Sequence, residues 1–278
     1  MESVYDVGRS SIVDLKKIAE KINILGDYCG MRDVEALSQN ALMDCCGFRQ
    51  ADVLILFGGS IPYGCDVVGD AITREHIAKK VMIVGGEGHT TESLRQKIKS
   101  ACPQIETAGK MEADVIGSYL KWKYGIVGCL IERESTNCGN NVTNALMVMK
   151  RHGINPASMI IVQDATMQRR MDAGFRKYAD SGIRIINFAA YRVRAIVENG
   201  TLTLQPADLW GMWDVRQYVT LLMGEIPRLT DHQEGYGPRG RAYIAHVEIP
   251  REVADAFVSL KKEYGDYVRT ANPSYATK

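Results

Sequence analysis

The sequence is nearly without net charge: 34 Lys and Arg stand against 33 Asp and Glu in 278 residues. That balance leaves no electrostatic footprint for a nucleic-acid backbone or an anionic membrane, so neither partner is expected. No stretch approaches the roughly 18 uninterrupted apolar residues of a membrane span. The opening MESVYDVGRSSIVDLKK lacks the basic start and apolar core of a signal peptide. Cysteine is limited to 7 residues, an odd number with no CxxC pair, which reads as reduced thiols rather than a disulfide framework. A cytoplasmic location without membrane insertion follows as the expectation. There is no GxSxG elbow and no HExxH, and the five histidines (76, 89, 152, 232, 246) are scattered. A serine-elbow hydrolase and a bound metal are therefore not predicted.

What is present is a regular alternation. ADVLILFGG, KKVMIVGG, GCLIE, SMIIVQD and IRIINFAA are short apolar runs rich in Val, Ile and Leu, separated by helical patterns. Strands buried on both faces read this way, so the expected fold is α/β: a Rossmann-like parallel sheet of about five strands with helices on both faces. Residues 1–50 read as N-terminal helices. Ile12, Leu15, Ile18, Ile22 and Leu25 lie at helical spacing behind a capping-box-like Ser11 and Asp14, and Val34, Leu37, Ala41 and Leu42 suggest a second helix. The core is expected over 51–203. Residues 204–278 read as mainly helical, including DLWGMWDVRQYVTLLM, and are expected to pack with the N-terminal helices as a smaller lobe. Trp210 and Trp213, three apart, read as core residues of that helix.

A parallel sheet directs attention to the carboxyl ends of its strands, where open α/β sheets bind ligands. Gly58-Gly59-Ser60 and Gly85-Gly86, with His89 just beyond, let backbone approach a ligand and offer N–H groups at a following helix start. Neither completes GxGxxG, and no GxxxxGK[ST] occurs. After the fourth run, Asp164 or Thr166 can cap a helix that then begins Gln168-Arg169-Arg170. Cations there oppose the helix dipole, so a carboxylate such as Glu132 or Glu134, or an anionic ligand, is expected to offset them. The junction ERESTNCGNN is densest of all. Asn137, Asn140, Asn141, Thr143 and Asn144 sacrifice on the order of 2–3 kcal/mol of helix propensity. N-capping explains one of them. The remainder can read a polar ligand or stitch the helix to its neighbours.

The string IERESTNCGNN resembles the signature of the YdcF/SanA/ElyC family. STNCGNN, VQDATMQRR, LLMGEIPRL and GYGPRGR resemble its soluble YdcF branch, in order over roughly four fifths of the chain. The resemblance implies a Rossmann-like core and a nucleotide-like ligand, with S-adenosylmethionine as the suggested cofactor and no established reaction. It places the family's Glu and Asn positions on Glu134, Ser135, Asn137 and Asn140, and the acid opening the preceding helix on Glu112. It assigns the strand exits to Gly58–Ser60 and Gly85–Gly86, and the later polar cluster to Asp164, Gln168, Arg169 and Arg170. Where that branch has Gly-Asn after the first strand, this chain has Gly58-Gly59-Ser60, which favours a backbone contact there. Membrane-attached relatives are linked with envelope biogenesis, a role not expected to carry over directly without a membrane segment.

These residues suit a small-molecule transferase or hydrolase with Glu112 and Glu134 as acid/base candidates, activated by burial. Arg169 and Arg239 could neutralise developing charge. A non-catalytic sensor of the same ligand, linked to envelope processes or not, is the rival, and a helical surface for a protein partner is a third reading. Cys138 at a helix start could be a nucleophile with His89 as base, against a bland role as a small helix residue. GYGPRGR, with Tyr236 and Arg239, suits a loop closing over an anionic ligand, or an exposed connection that needs glycine. The oligomeric state is not legible.

Overall fold

The five apolar runs form one parallel sheet in the computed structural model, which describes residues 12–59 and 61–265. Its elements, in chain order, begin with helices α1 (Ile12–Cys29) and α2 (Gln39–Cys46). The core comprises β1 (Ala51–Phe57), α3 (Tyr63–Glu75), β2 (Ala78–Val84), α4 (Thr91–Ala101), α5 (Glu112–Tyr124), β3 (Leu130–Glu132), α6 (Cys138–Arg151), β4 (Ser158–Gln163), α7 (Gln168–Tyr178) and β5 (Arg184–Ala189). A hairpin of β6 (Arg194–Glu198) and β7 (Thr201–Gln205) follows, then helices α8 (Val215–Leu229) and α9 (Arg251–Tyr264). The sheet order is β3-β2-β1-β4-β5. Successive side chains alternate between its faces. Val53, Ile55, Met159 and Ile161 pack with Val142, Met149, Met171 and Phe175 of α6 and α7. Leu54, Leu56, Ile83 and Ile160 pack with α1, α3, α4 and α5 on the other side. This is a Rossmann-like architecture with helical additions. Its order reverses between β1 and β4, which opens a crevice at their carboxyl ends.

The terminal helices meet: α1 packs against α8, α9 and β6. The Ser11 start of the first helix lies outside the described residues. The second helix is shorter than its apolar spacing suggests, because Ser38 caps it by accepting from the Ala41 N–H at 3.2 Å. The chain before Ser38 is instead drawn along β5. Ala189 N–H donates to Met31 O at 3.1 Å and Asp33 N–H to Asn187 O at 2.9 Å. Edge-strand backbone groups require partners, and this segment supplies them.

Two further departures have local causes. Residues 194–205 form a hairpin beyond the five expected strands, with Asn199-Gly200 standing between two alternating runs. Both turn residues have positive φ, 51° and 75°, as a type I′ turn requires. Residues 208–214 are not helical. α8 starts only at Val215, where Asp214 accepts from the Gln217 N–H at 2.7 Å. Trp210 and Trp213 thus lie on an irregular segment that presses on the start of α3: a Cβ on Gly211 would come 2.3 Å from Pro62 Cδ.

Arg170 shows how the additions are tied to the core. Its guanidinium meets Glu225 of α8 at 2.5 and 2.9 Å, and the two side chains are 13% and 4% exposed. Glu225 also faces Arg228 at 3.5 Å, so it is the acid shared by two largely buried cations. Glu225→Leu takes that acid from both and should therefore lower stability by about 3 kcal/mol in urea unfolding. Equal stability of the variant and the native protein would contradict this role.

Candidate functional site

Glu112 is the centre of the strand-exit region. As the first residue of α5 it is held by its own N–H to Gly86 O at 3.0 Å, while Ala113 N–H reaches Gly85 O at 2.8 Å. The helix start therefore docks on the carbonyls that leave β2. Its carboxyl group, on a residue 7% exposed, lies across the ends of β1 and β2. A Cβ on Gly58 would stand 2.1 Å from Glu112 Oε2, and one on Gly85 would stand 3.0 Å from Glu112 Cβ. Glycine at both positions leaves room for this side chain in its present place. Oε1 accepts from the hydroxyls of Thr90 at 3.0 Å and Thr91 at 2.9 Å. Oε2 has no hydrogen-bond partner among the described residues. Burial pushes the Glu112 carboxyl above its ordinary value, against the two threonine bonds and the field of Arg95.

The ERESTNCGNN junction is organised by Glu132, 3% exposed at the end of β3. Oε1 accepts from Glu134 N–H at 2.7 Å, Ser135 N–H at 3.0 Å and Asn144 Nδ2 at 3.0 Å. Oε2 accepts from the Ser135 hydroxyl at 2.6 Å, and Ser135 Oγ in turn accepts from Gly86 N–H at 3.2 Å. Asn137 caps α6 by accepting from Asn140 N–H at 3.0 Å, and its Nδ2 donates to Asn140 Oδ1 at 2.8 Å. Thr143 bonds back to Gly139 O at 3.3 Å. Much of the polar excess thus stitches the junction to itself. Asn141 is the exception, half-buried with no side-chain hydrogen bond among the described residues. Glu134 is exposed, so the burial that was to activate it is absent. The buried carboxylate here is Glu132, and it is fully engaged.

The side of the crevice toward β4 is less satisfied. Gln163, 2% exposed, ends β4 beside Gly59, whose would-be Cβ is 3.7 Å from Gln163 Oε1. That oxygen accepts from Asp164 N–H at 2.6 Å, while Nε2 makes no hydrogen bond among the described residues. Asp164 Oδ1 accepts from Thr166 N–H at 2.8 Å, Thr166 Oγ1 at 2.7 Å and Tyr191 OH at 2.8 Å. Burial raises its carboxyl as well, in opposition to those bonds. Lys97 reaches in from α4. Its ammonium donates to Gly211 O at 2.6 Å and sits 4.5 Å from the Trp213 ring centroid. Burial lowers the Lys97 pKa, and the nearby Asp164 opposes that shift. The buried Trp213 indole N–H lies on the Asp164 side, where it favours the carboxylate. Lys97, Gln163, Tyr191 and Trp213 were missed in the sequence. Of these, Gln163 alone carried a signal, as a polar residue closing an apolar strand at the reversal of sheet order.

Several expected contacts are corrected. Gln168 is fully buried, accepting from Gln163 N–H at 2.9 Å and donating to Ile161 O and Asn187 Oδ1, each at 3.1 Å. Arg169 donates to Tyr28 O and lies 4.1 Å over the Tyr28 ring, turned to α1 rather than the crevice. The anion that offsets Arg170 is Glu225, not Glu132, Glu134 or a ligand. Arg239 is 77% exposed and paired with Asp231 at 3.3 Å, and Tyr236 packs edge-on against Tyr243 at 5.2 Å. GYGPRGR folds tightly against its own backbone: a Cβ on Gly235 would be 2.1 Å from Thr230 O, and one on Gly240 2.3 Å from Gly235 O. Its glycines therefore serve close packing within the loop itself, and beyond it Ala245 N–H reaches Ala173 O of α7 at 2.9 Å. Cys138 lies 3.9 Å from Met167 Sδ. His89 is exposed beyond β2, and Ser60 lies outside the described residues.

No known protein-family model matches this chain. The residues that converge on the exits of β1, β2 and β4 are Gly58, Gly59, Gly85, Gly86, Lys97, Glu112, Gln163, Asp164 and Trp213.

The raised Glu112 pKa has a direct consequence for stability. A carboxyl whose folded pKa exceeds its unfolded value favours folding most below the ordinary carboxylate range, and that contribution is lost as pH rises through the folded pKa. Glu112→Gln removes the buried charge. Its melting temperature should exceed that of the native protein at neutral pH, with the advantage shrinking as pH falls toward 4. A constant difference across that range would contradict the shift.

Proposed function

We propose that this chain binds a nucleotide-like small molecule at the carboxyl ends of β1, β2 and β4. S-adenosylmethionine, the ligand suggested by the resemblance to the YdcF branch, is the candidate. One observation carries the reading. The residues Glu112 and Gln163, both largely buried, each keep a polar atom with no hydrogen-bond partner among the described residues, beside Gly58 and Gly59. Neither atom is sealed from solvent, so the pair presents open bonding capacity to the crevice at the reversal of sheet order, where open α/β sheets bind ligands. The chemistry suits the candidate. An ionised Glu112 attracts a sulfonium or ammonium, Lys97 attracts a carboxylate, and the Gly59 N–H and Gln163 amide meet hydroxyl or ring heteroatoms. Of the two acid/base candidates, Glu112 is the buried one, so any transfer reaction would depend on it. A sensor would retain the ligand without turnover.

Calorimetric titration of the full chain with S-adenosylmethionine, S-adenosylhomocysteine, ATP and NAD tests the proposal. S-adenosylmethionine should bind about tenfold more tightly than the uncharged thioether, a difference of about 1.4 kcal/mol. Glu112→Gln should narrow that gap, and Gln163→Ala should weaken both. Absence of binding by all four compounds would overturn the nucleotide reading. Preference for ATP or NAD would overturn S-adenosylmethionine alone.

A further inference from the structure

A second recess lies away from these strand exits. It is a cavity of about 450 Å³ between α3 and the segment that runs along β5, a volume in the range of small-molecule sites. Its inner wall is apolar, formed by Leu37, Val67, Phe188, Tyr191 and Leu209. At the edge of that wall stands Arg32. Its Nε donates to Ala189 O at 2.8 Å and its guanidinium carbon sits over Phe188, 3.9 Å from the ring centroid. The acids around the mouth are committed elsewhere. Glu35 pairs with Arg192 at 2.9 Å and Asp70 with Arg74 at 3.2 Å. Glu75 accepts from Gln39 N–H at 3.3 Å. Arg32 has no ion pair and bonds no side chain among the described residues. Burial, and then the proximity of Arg192, lower its pKa to about 10 against the field of Glu35.

We propose that this cavity binds a small organic carboxylate with an apolar body, its carboxylate held by the terminal nitrogens of Arg32 and its body against Leu37, Val67 and Leu209. The fixed position of Arg32, through Ala189 and Phe188, leaves one edge of the guanidinium fork for two parallel bonds to a planar carboxylate. An apolar wall rules in a body of the size of a benzene ring or a short alkyl chain. Tyr191 belongs both to this wall and to the crevice, where its hydroxyl donates to Asp164 at 2.8 Å.

Titration of the full chain with benzoate, the neutral benzamide and inorganic phosphate tests the site. Benzoate should bind at least tenfold more tightly than benzamide. Arg32→Gln should abolish the preference. Arg32→Lys, which keeps the charge and lets the fold be checked by its melting transition, should weaken benzoate at least fivefold because the fork is lost. Glu112→Gln, whose side chain bonds Thr90 and Thr91 and no residue of the cavity wall, should leave benzoate binding unchanged, so failure here is separable from failure of the nucleotide reading. Equal affinity for benzoate and benzamide, no binding of either, unchanged benzoate binding in Arg32→Lys, or binding of phosphate alone would each overturn the proposal.

Discussion

The Glu112 carboxyl group lies across the ends of two adjacent strands, and the arrangement of the whole site follows from giving it room. A Cβ on Gly58 would meet that carboxyl group, and one on Gly85 would crowd the Glu112 stem. The backbone of α5 then reaches Gly85 and Gly86, and Gly86 passes so close to the β3 exit that a Cβ would stand 2.3 Å from Ser135 O. Ser135 and Glu132 complete the chain of contacts into α6. The exits of β1, β2 and β3 are thus welded into one rigid wall. The β4 exit is tied to α7 and Tyr191 through Gln168 and Asp164. Glu112 and Gln163 stand where these two walls meet, beside Gly58 and Gly59, with Oε2 and Nε2 open to the crevice.

That contrast separates polar residues that build a site from those that meet a ligand. Ser135, Asn137 and Asn140 are satisfied by their neighbours, and such networks rigidify a wall without addressing solvent. Glu112 Oε2 and Gln163 Nε2 have no hydrogen-bond partner among the described residues and stay open to the crevice. A bound ligand can supply those partners. The functional reading rests on this second set. Tyr191 gives the crevice a physical link to the cavity beneath Arg32, since one ring forms a wall there and its hydroxyl orients Asp164 here.

The sheet was legible because each strand is a continuous Val, Ile and Leu run, and parallel strands buried on both faces leave that trace. The exits were legible as glycine and polar clusters, and the cap on α6 could be narrowed to Ser135, Thr136 or Asn137. The partners of Arg169 and Arg170 were not legible. They are Tyr28 and Glu225, 141 and 55 residues away in sequence, and charge pairing at that distance leaves no local pattern. Trp213 was misplaced by assigning it to a helix that begins later, at Val215. The opposite error touched Asn199-Gly200, whose turn chemistry was visible and outweighed by attention to apolar periodicity.

The central claim is that Glu112 holds a buried carboxyl awaiting a ligand's positive charge. A carbon-13 titration of the Glu112 side chain, with and without saturating S-adenosylmethionine, addresses it directly. The account predicts a pKa above the ordinary glutamate value in the free protein and a fall when the cation binds. An ordinary value in the free protein, or one unmoved by the ligand, would contradict it.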